Sequence, residues 1–291
     1  MKKNAIIIGC LLLAVLQSCK EERFDILSKG RPSVEGIIYS VAPLEDSPNT
    51  IRFSFSDDNK LVSPIWKIEK PDGTFLNSTK RDFTMKYLIQ GEYNGFIRVF
   101  GQGGLSTDSV GFKFYVTESD SLIWKLTGKD GQKVWIWDST VAGHLACGWV
   151  SSESPDWWIT EPNELRNLQI YDDEMRFLPD KTYLLEAHGY IYVNESALSV
   201  MDPINYPNGG SIAAAVAYTP PKGQQWSMYQ NEDGTLCLSF SEGAFPSYVA
   251  SPEVLLGTDY EVLELTNDIL YLRWKDWSVE TSWYYRFKVK T

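Results

Sequence analysis

Tyr260-Glu261-Val262-Leu263-Glu264-Leu265, Thr266-Asn267-Asp268 and Ile269-Leu270-Tyr271-Leu272-Arg273-Trp274 read as a strand, a turn and a second strand. Leu270, Leu272 and Trp274 fall on one face of a period-two repeat, and a polar turn separates two apolar runs, so the strands are expected antiparallel. The same pattern recurs on both sides of this hairpin. Upstream lie Lys133-Val134-Trp135-Ile136-Trp137, Lys181-Thr182-Tyr183-Leu184-Leu185 and Thr235-Leu236-Cys237-Leu238-Ser239-Phe240, the last preceded by the turn Asn231-Glu232-Asp233-Gly234; a final strand runs from Trp283 to Val289. Apart from a turn-like stretch at Glu161 to Leu168, nothing carries a helical repeat. Residues 121–291 are therefore expected to form an all-β domain, a sandwich or a lipocalin-like barrel.

Residues 25–118 show shorter strands: Ile51-Arg52-Phe53-Ser54-Phe55, Ile65-Trp66-Lys67-Ile68, Phe96-Ile97-Arg98-Val99-Phe100 and Val110 to Val116. Pro71-Asp72-Gly73 and Gly101-Gln102-Gly103-Gly104 punctuate them, which predicts a small β-sandwich. Trp66 supplies its large inward aromatic. Of the eleven tryptophans Trp66 alone precedes residue 120, so the two parts carry different tasks, with the seam at Glu118-Ser119-Asp120-Ser121.

The first residues read as a lipoprotein signal. Lys2 and Lys3 give a positive start, Ala5 to Leu16 an apolar run too short to span a bilayer, and Leu16-Gln17-Ser18-Cys19 a cleavage site with an acylatable cysteine. The expectation is a signal over 1–18 and a lipidated tether over 19–24 beginning at Cys19. Lys20-Glu21-Glu22 resembles the export tag of Bacteroidetes surface lipoproteins, though an ordinary solvated tether reads equally from these residues. An outer-membrane protein facing the cell exterior, held by a lipid anchor in the membrane, follows from the tag reading.

The formal charge of −11 becomes −13 on loss of Lys2 and Lys3, and no basic run exists, which argues against nucleic acid as a partner. Neutral or cationic ligands suit such a chain. Beyond Cys10 and Cys19, Cys147 and Cys237 remain; an exported chain permits a disulfide, but their apolar contexts fit buried thiols as well. His144 and His188 lie in no zinc spacing and beside no nucleophile motif.

Trp66-Lys67-Ile68-Glu69-Lys70-Pro71-Asp72-Gly73-Thr74 and Gly91-Glu92-Tyr93 resemble the signature stretches of PKD domains, an immunoglobulin-like sandwich that mostly serves as a spacer. Lys67 and Glu69-Lys70-Pro71 depart from that pattern. A second resemblance covers roughly 122–291. Leu126-Thr127-Gly128, Val134-Trp135-Ile136-Trp137-Asp138, Gly143-His144, Asp156-Trp157-Trp158, Pro162-Asn163-Glu164, Tyr171 to Phe177 and Tyr260 to Thr266 are similar to a C-terminal module of PKD-containing Bacteroidetes lipoproteins. The resemblance implies a surface glycan-binding protein of a polysaccharide-utilisation system, with an outer-membrane glycan transporter and surface hydrolases as partners. Cys147 and the Pro- and Gly-rich insertion Ser196 to Gly223 depart from the family, so the identity of the ligand does not carry over.

The residues support a carbohydrate site on their own. Sugar C–H faces pack on aromatic rings while hydroxyls need short polar partners. The loop 149–164 offers that mixture, with Trp149, Asp156, Trp157, Trp158, Asn163 and Glu164 as candidate ligand-binding residues and Trp277, in a turn, as a further one. Consecutive Trp157 and Trp158 on a strand point to opposite faces, so contact and core roles are both open to the tryptophans of this loop. Trp135, Trp137 and Trp274 share strand faces with apolar neighbours and read as core.

No catalytic residue and no cofactor are expected. Two other readings stay open: a glycoside hydrolase using Asp172 and Glu174, two residues apart on one strand face, and a structural scaffold or adhesion protein that binds no soluble glycan. Asp172, Asp173 and Glu174 also supply hard oxygens for a structural calcium ion.

Overall fold

The computed structural model describes residue 32 and residues 34–56, 62–71, 73–101, 104–231 and 233–291. The signal 1–18, Cys19, the tether 19–24 and turn residues Asp72, Gln102, Gly103 and Glu232 lie outside the described residues. The fold is nearly all β, with 46% strand and 7% helix. Among the described residues no helix is long and apolar enough to cross a membrane.

Seven strands build the N-terminal part: β1 (Ile38–Leu44), β2 (Ser47–Ser56), β3 (Ser63–Glu69), β4 (Phe75–Ser78), β5 (Asp82–Tyr87), β6 (Gly91–Phe100) and β7 (Val110–Val116). They form two layers, β1-β2-β5 and β4-β3-β6-β7. Alternation buries Ile51, Phe53 and Phe55 from one layer against Trp66, Ile97 and Phe114 from the other. Trp66 meets Phe53 and Phe83 edge-on at 5.8 and 6.0 Å, and its indole N–H donates to the Lys80 carbonyl at 2.9 Å. The Tyr93 hydroxyl returns to the Ile89 carbonyl at 2.7 Å, the tyrosine corner of immunoglobulin-like sandwiches. Gly95 lies beneath the Phe112 ring, 2.2 Å from where a Cβ would sit, so no side chain fits there.

The C-terminal part contains β8 (Trp135–Trp137), β9 (Leu145–Trp149), β10 (Trp158–Ile159), β11 (Glu174–Phe177), β12 (Tyr183–Glu186), β13 (Tyr190–Val193), β14 (Ala214–Ala217), β15 (Trp226–Gln230), β16 (Leu236–Phe240), β17 (Tyr248–Val249), β18 (Asp259–Leu265), β19 (Ile269–Asp276) and β20 (Thr281–Val289). The path β15-β16-β18-β19-β20-β8-β11-β12 is antiparallel at every step. A bridge between Thr182 and Gln225 brings β12 back to β15 and closes the eight strands. Of the two architectures left open by the sequence, a barrel is the one formed. Its interior is filled by side chains, among them Trp135, Trp137, Phe177, Trp226, Tyr260 and Phe287, each at most 2% exposed. The buried indoles keep partners: Trp135 donates to the Leu126 carbonyl at 2.8 Å, Trp226 to the Leu178 carbonyl at 3.0 Å and Trp274 to Thr258 Oγ1 at 3.1 Å.

Two short helices, Leu122–Thr127 and Leu198–Met201, were not readable from periodicity because each is at most six residues long. The stretch Glu161 to Leu168 forms turns. The insertion Ser196 to Gly223 contributes β14, which joins β13 and β17 in a three-stranded sheet over one end of the barrel. Tyr248 of that sheet packs against Trp283 at 5.4 Å and Tyr285 at 6.3 Å on β20.

The two parts are not beads on a string. β5 pairs with β15 through Tyr87 with Tyr229 and Lys86 with Gln230, so one layer of the sandwich runs on into the barrel wall. Tyr229 and Cys237 belong to the core of the sandwich. Asp259 on the barrel accepts from Lys70 at 3.1 Å and from the Tyr229 hydroxyl at 2.7 Å. Cys147 and Cys237 are both free and buried, so no disulfide links them.

Candidate functional site

Strand β20 enters the barrel wall from a tight hairpin and turns Trp283, Tyr285 and Phe287 to the interior side. Tyr285 and Phe287 are fully buried, whereas Trp283, nearest the hairpin, is only partly covered. There the barrel mouth opens as a groove of about 550 Å³. Its floor is Cys147, Trp157 and Trp283; the end of β13 contributes Asn194 and Glu195, the segment after β17 contributes Ser251 and Glu253, and the β19–β20 hairpin contributes Asp276 and Ser278. Barrel mouths are common places for ligand sites, and this one combines ring faces below with hydroxyl, amide and carboxylate groups along the rims.

The loop between β9 and β10 places the tryptophans. β9 pairs with β20, Cys147 facing Trp283 and Trp149 facing Thr281. The chain then leaves the sheet at Trp149 and returns at Trp158, folding over Gly148. Asp156 fixes this return: its Oδ1 accepts from the Trp149 backbone N–H at 2.9 Å and its Oδ2 from Ser152 Oγ at 2.6 Å, and these bonds hold the carboxyl below its usual range. The Ser152 carbonyl in turn accepts from Arg273 Nη1 and the Tyr284 hydroxyl, each at 3.2 Å, which pins the loop to the outer barrel wall. Trp149 and Trp157 then meet edge to face, centroids 4.4 Å apart at 81°, each 46% exposed.

The candidate residues divide accordingly. Trp157 lines the groove and Trp149 stands against it. Trp158 is partly buried against the barrel core, so the consecutive pair splits between surface and interior. Asp156 is a brace of the loop. Asn163 and Glu164 lie at the other end of the β9–β10 pair, because β10 runs antiparallel and carries the chain away: the Asn163 N–H donates to the Ser139 carbonyl at 2.7 Å, and Glu164 Oε2 accepts from the Glu161 N–H at 2.7 Å. Trp277 is 71% exposed beside the groove residues Asp276 and Ser278, with Lys275 Nζ 5.9 Å from its ring.

Electrostatics favour ligands without negative charge. Glu195, Glu253 and Asp276 line the groove and no Lys or Arg does so among the described residues. Burial first, then the negative charge of Asp156 and Glu195, raises the Cys147 thiol, which keeps the floor apolar.

The acidic stretch 172–174 does not converge. β11 begins only at Glu174, so Asp172 stands exposed in the preceding turn and shares no strand face with it. Glu174 is ion-paired with Lys290. Asp173 is buried, its Oδ2 accepting from Ser247 Oγ at 2.5 Å, while Ser247 Oγ accepts from the Trp137 indole at 2.7 Å. Among the described residues no group of three His, Cys, Asp or Glu side chains is placed to hold a metal ion. His144 is buried between Val141 O and the Tyr171 hydroxyl, at 2.7 and 2.6 Å, and burial lowers its pKa.

Sequence reasoning missed Asn194, Glu195, Ser251, Glu253 and Trp283, which no local motif joins. An exposed Trp124, on the short helix after the seam, was also missed. Neither the protein-family models nor the curated proteins contain a match to this chain.

Proposed function

We propose that this chain is a non-catalytic, lipid-anchored protein of the outer cell surface that captures a neutral, β-glucan-like polysaccharide for neighbouring hydrolases and a glycan transporter. The observation that carries the proposal is the groove at the barrel mouth. Trp157 and Trp283 offer ring faces there, and Asn194, Glu195, Ser251 and Glu253 offer hydrogen-bonding groups. Trp149 extends the aromatic surface beyond Trp157. Stacking on each ring contributes about 1–3 kcal/mol by analogy with base–aromatic stacking, so a single groove binds weakly and a long chain is held by repeated engagement.

Native electrophoresis through gels containing neutral polysaccharides, β-glucans first, tests the reading. Retardation by one glycan, weakened about tenfold or more in Trp157→Ala and unaccompanied by reducing-end release, supports it. No retardation across a broad panel removes it.

A further inference from the structure

The outward face of the layer β4-β3-β6-β7 carries a second trough, of about 550 Å³, far in character from the first. It is lined by Ile65, Lys67, Asn77, Phe96, Arg98 and Ser109, with no carboxylate among its described residues. In a chain of formal charge −11 that composition is an outlier. The strand register explains how it arises. Lys67 stands between Asn77 on one neighbour and Phe96 on the other, and Ile65 stands opposite Arg98. Lys67 and Arg98 are thus diagonal neighbours, about 7–8 Å apart at the backbone, with Phe96 beside both. Across from Phe96 on β7 is Gly111, whose missing side chain lets the ring lie over the strand, with ring atoms 3.6 and 3.7 Å from where a Cβ would sit; the Phe75 ring stands 6.2 Å away on the other side, and Phe96 is 40% exposed.

Both cations rest on rings, and among the described residues neither is ion-paired with a carboxylate. Lys67 Nζ lies 4.6 Å from the centre of the Phe75 ring and the Arg98 guanidinium 5.6 Å from that of Phe100. Two carboxylates on the same strand faces are engaged elsewhere: Glu69 accepts from the Asn94 backbone and amide, each at 2.7 Å, and Glu92 is paired with Lys113. We infer that this trough is a binding site for an acidic polysaccharide, with Phe96 stacking on a sugar ring, Lys67 and Arg98 taking its carboxylates, and Asn77 and Ser109 its hydroxyls. A sugar ring fits better than an acidic peptide strand, because a strand adds to a sheet edge and the trough lies on a sheet face. The site is independent of the groove at the barrel mouth, which bears the opposite charge.

The test is native electrophoresis of the detergent-purified full chain through polygalacturonate gels at low and high salt, with poly-glutamate as soluble competitor. Retardation that salt diminishes, that falls about tenfold in Lys67→Gln/Arg98→Gln and in Phe96→Ala, and that persists in Trp157→Ala is the expected result. Lys129→Gln/Lys222→Gln makes the same change in net charge on exposed lysines outside the trough and should bind as the parent does. Absence of retardation, equal loss in that control, or displacement by poly-glutamate as effective as by free oligogalacturonate overturns the assignment. Unchanged circular dichroism in the trough variants separates lost binding from lost fold. Failure here leaves the neutral-glycan proposal standing, since that rests on Trp157 and β-glucan.

Discussion

Asp173 shows how one buried group shapes the pH response of the barrel. Burial first, then the neighbouring Asp172 charge, pushes its carboxyl up to about 8 against the lowering effect of Ser247. Unfolded, the same group titrates near about 3.9. The folded state therefore keeps a proton that the unfolded state releases, so stability from this residue is full below about pH 4 and is lost as pH rises toward 8. Asp173→Asn cannot ionise and exchanges one unpartnered polar atom, Oδ1, for another. Its advantage over the parent should grow between pH 5 and 8, reaching on the order of 2–4 kcal/mol. Thermal unfolding of both at four pH values checks this; parallel slopes would refute it. His144 acts in the other direction, its lowered pKa removing stability as pH falls below about 6.5, but it is common to both proteins and cancels in the comparison.

Elements were more legible than their assembly. Period-two alternation placed Trp274 inward with Leu270 and Leu272 and put Trp135 and Trp137 together on one strand face, and Trp66 read as core because a small sandwich needs one large inward aromatic. The polar turn around Trp277 marked it as exposed, whereas for Trp157 and Trp158 contact and core roles both stayed open until the structure split the pair between surface and interior. What the sequence could not convey is where a strand carries the residues after it: Asn163 and Glu164 adjoin Trp157 and Trp158 in the chain, yet the two-residue β10 points them to the opposite end of β9. Equally hidden was the convergence of Asn194, Glu253 and Asp276, which belong to segments dozens of residues apart. Gly148 tests the placement of the aromatic loop. A Cβ there would lie 2.3 Å from Asp156 Oδ1 and 2.8 Å from its backbone nitrogen. Gly148→Ala should lower stability by about 1–3 kcal/mol and, by lifting the loop, weaken retardation by glycan together with Trp157→Ala. A variant of parental stability and binding would show that the loop yields without moving its tryptophans.

At the scale of the whole molecule, the sandwich was expected as a spacer, and the shared sheet could not be foreseen, since no local pattern announces that β5 and β15 will pair across more than 130 residues. Joined cores should unfold together. Tryptophan fluorescence, which reports almost wholly on the barrel, and far-ultraviolet circular dichroism, which reports on both parts, are expected to give one midpoint in urea. Asp259→Ala, which removes one partner of Lys70 and one of the Tyr229 hydroxyl, should move both midpoints down together by about 1–3 kcal/mol. Separate midpoints in the parent would mean that the ladder between the parts is too weak to couple them.

That ladder also fixes the spacing between any two binding surfaces on the two parts. Modules on a flexible linker sample many separations, and the effective concentration of one at the other is an average over them. Here there is a single separation. If both proposed surfaces bind, a polymer long enough and suitably stiff to reach from the sandwich face to the barrel mouth would gain the avidity of two contacts and one that falls short would gain none, so the length and the charge pattern of a chain would be selected in the same encounter.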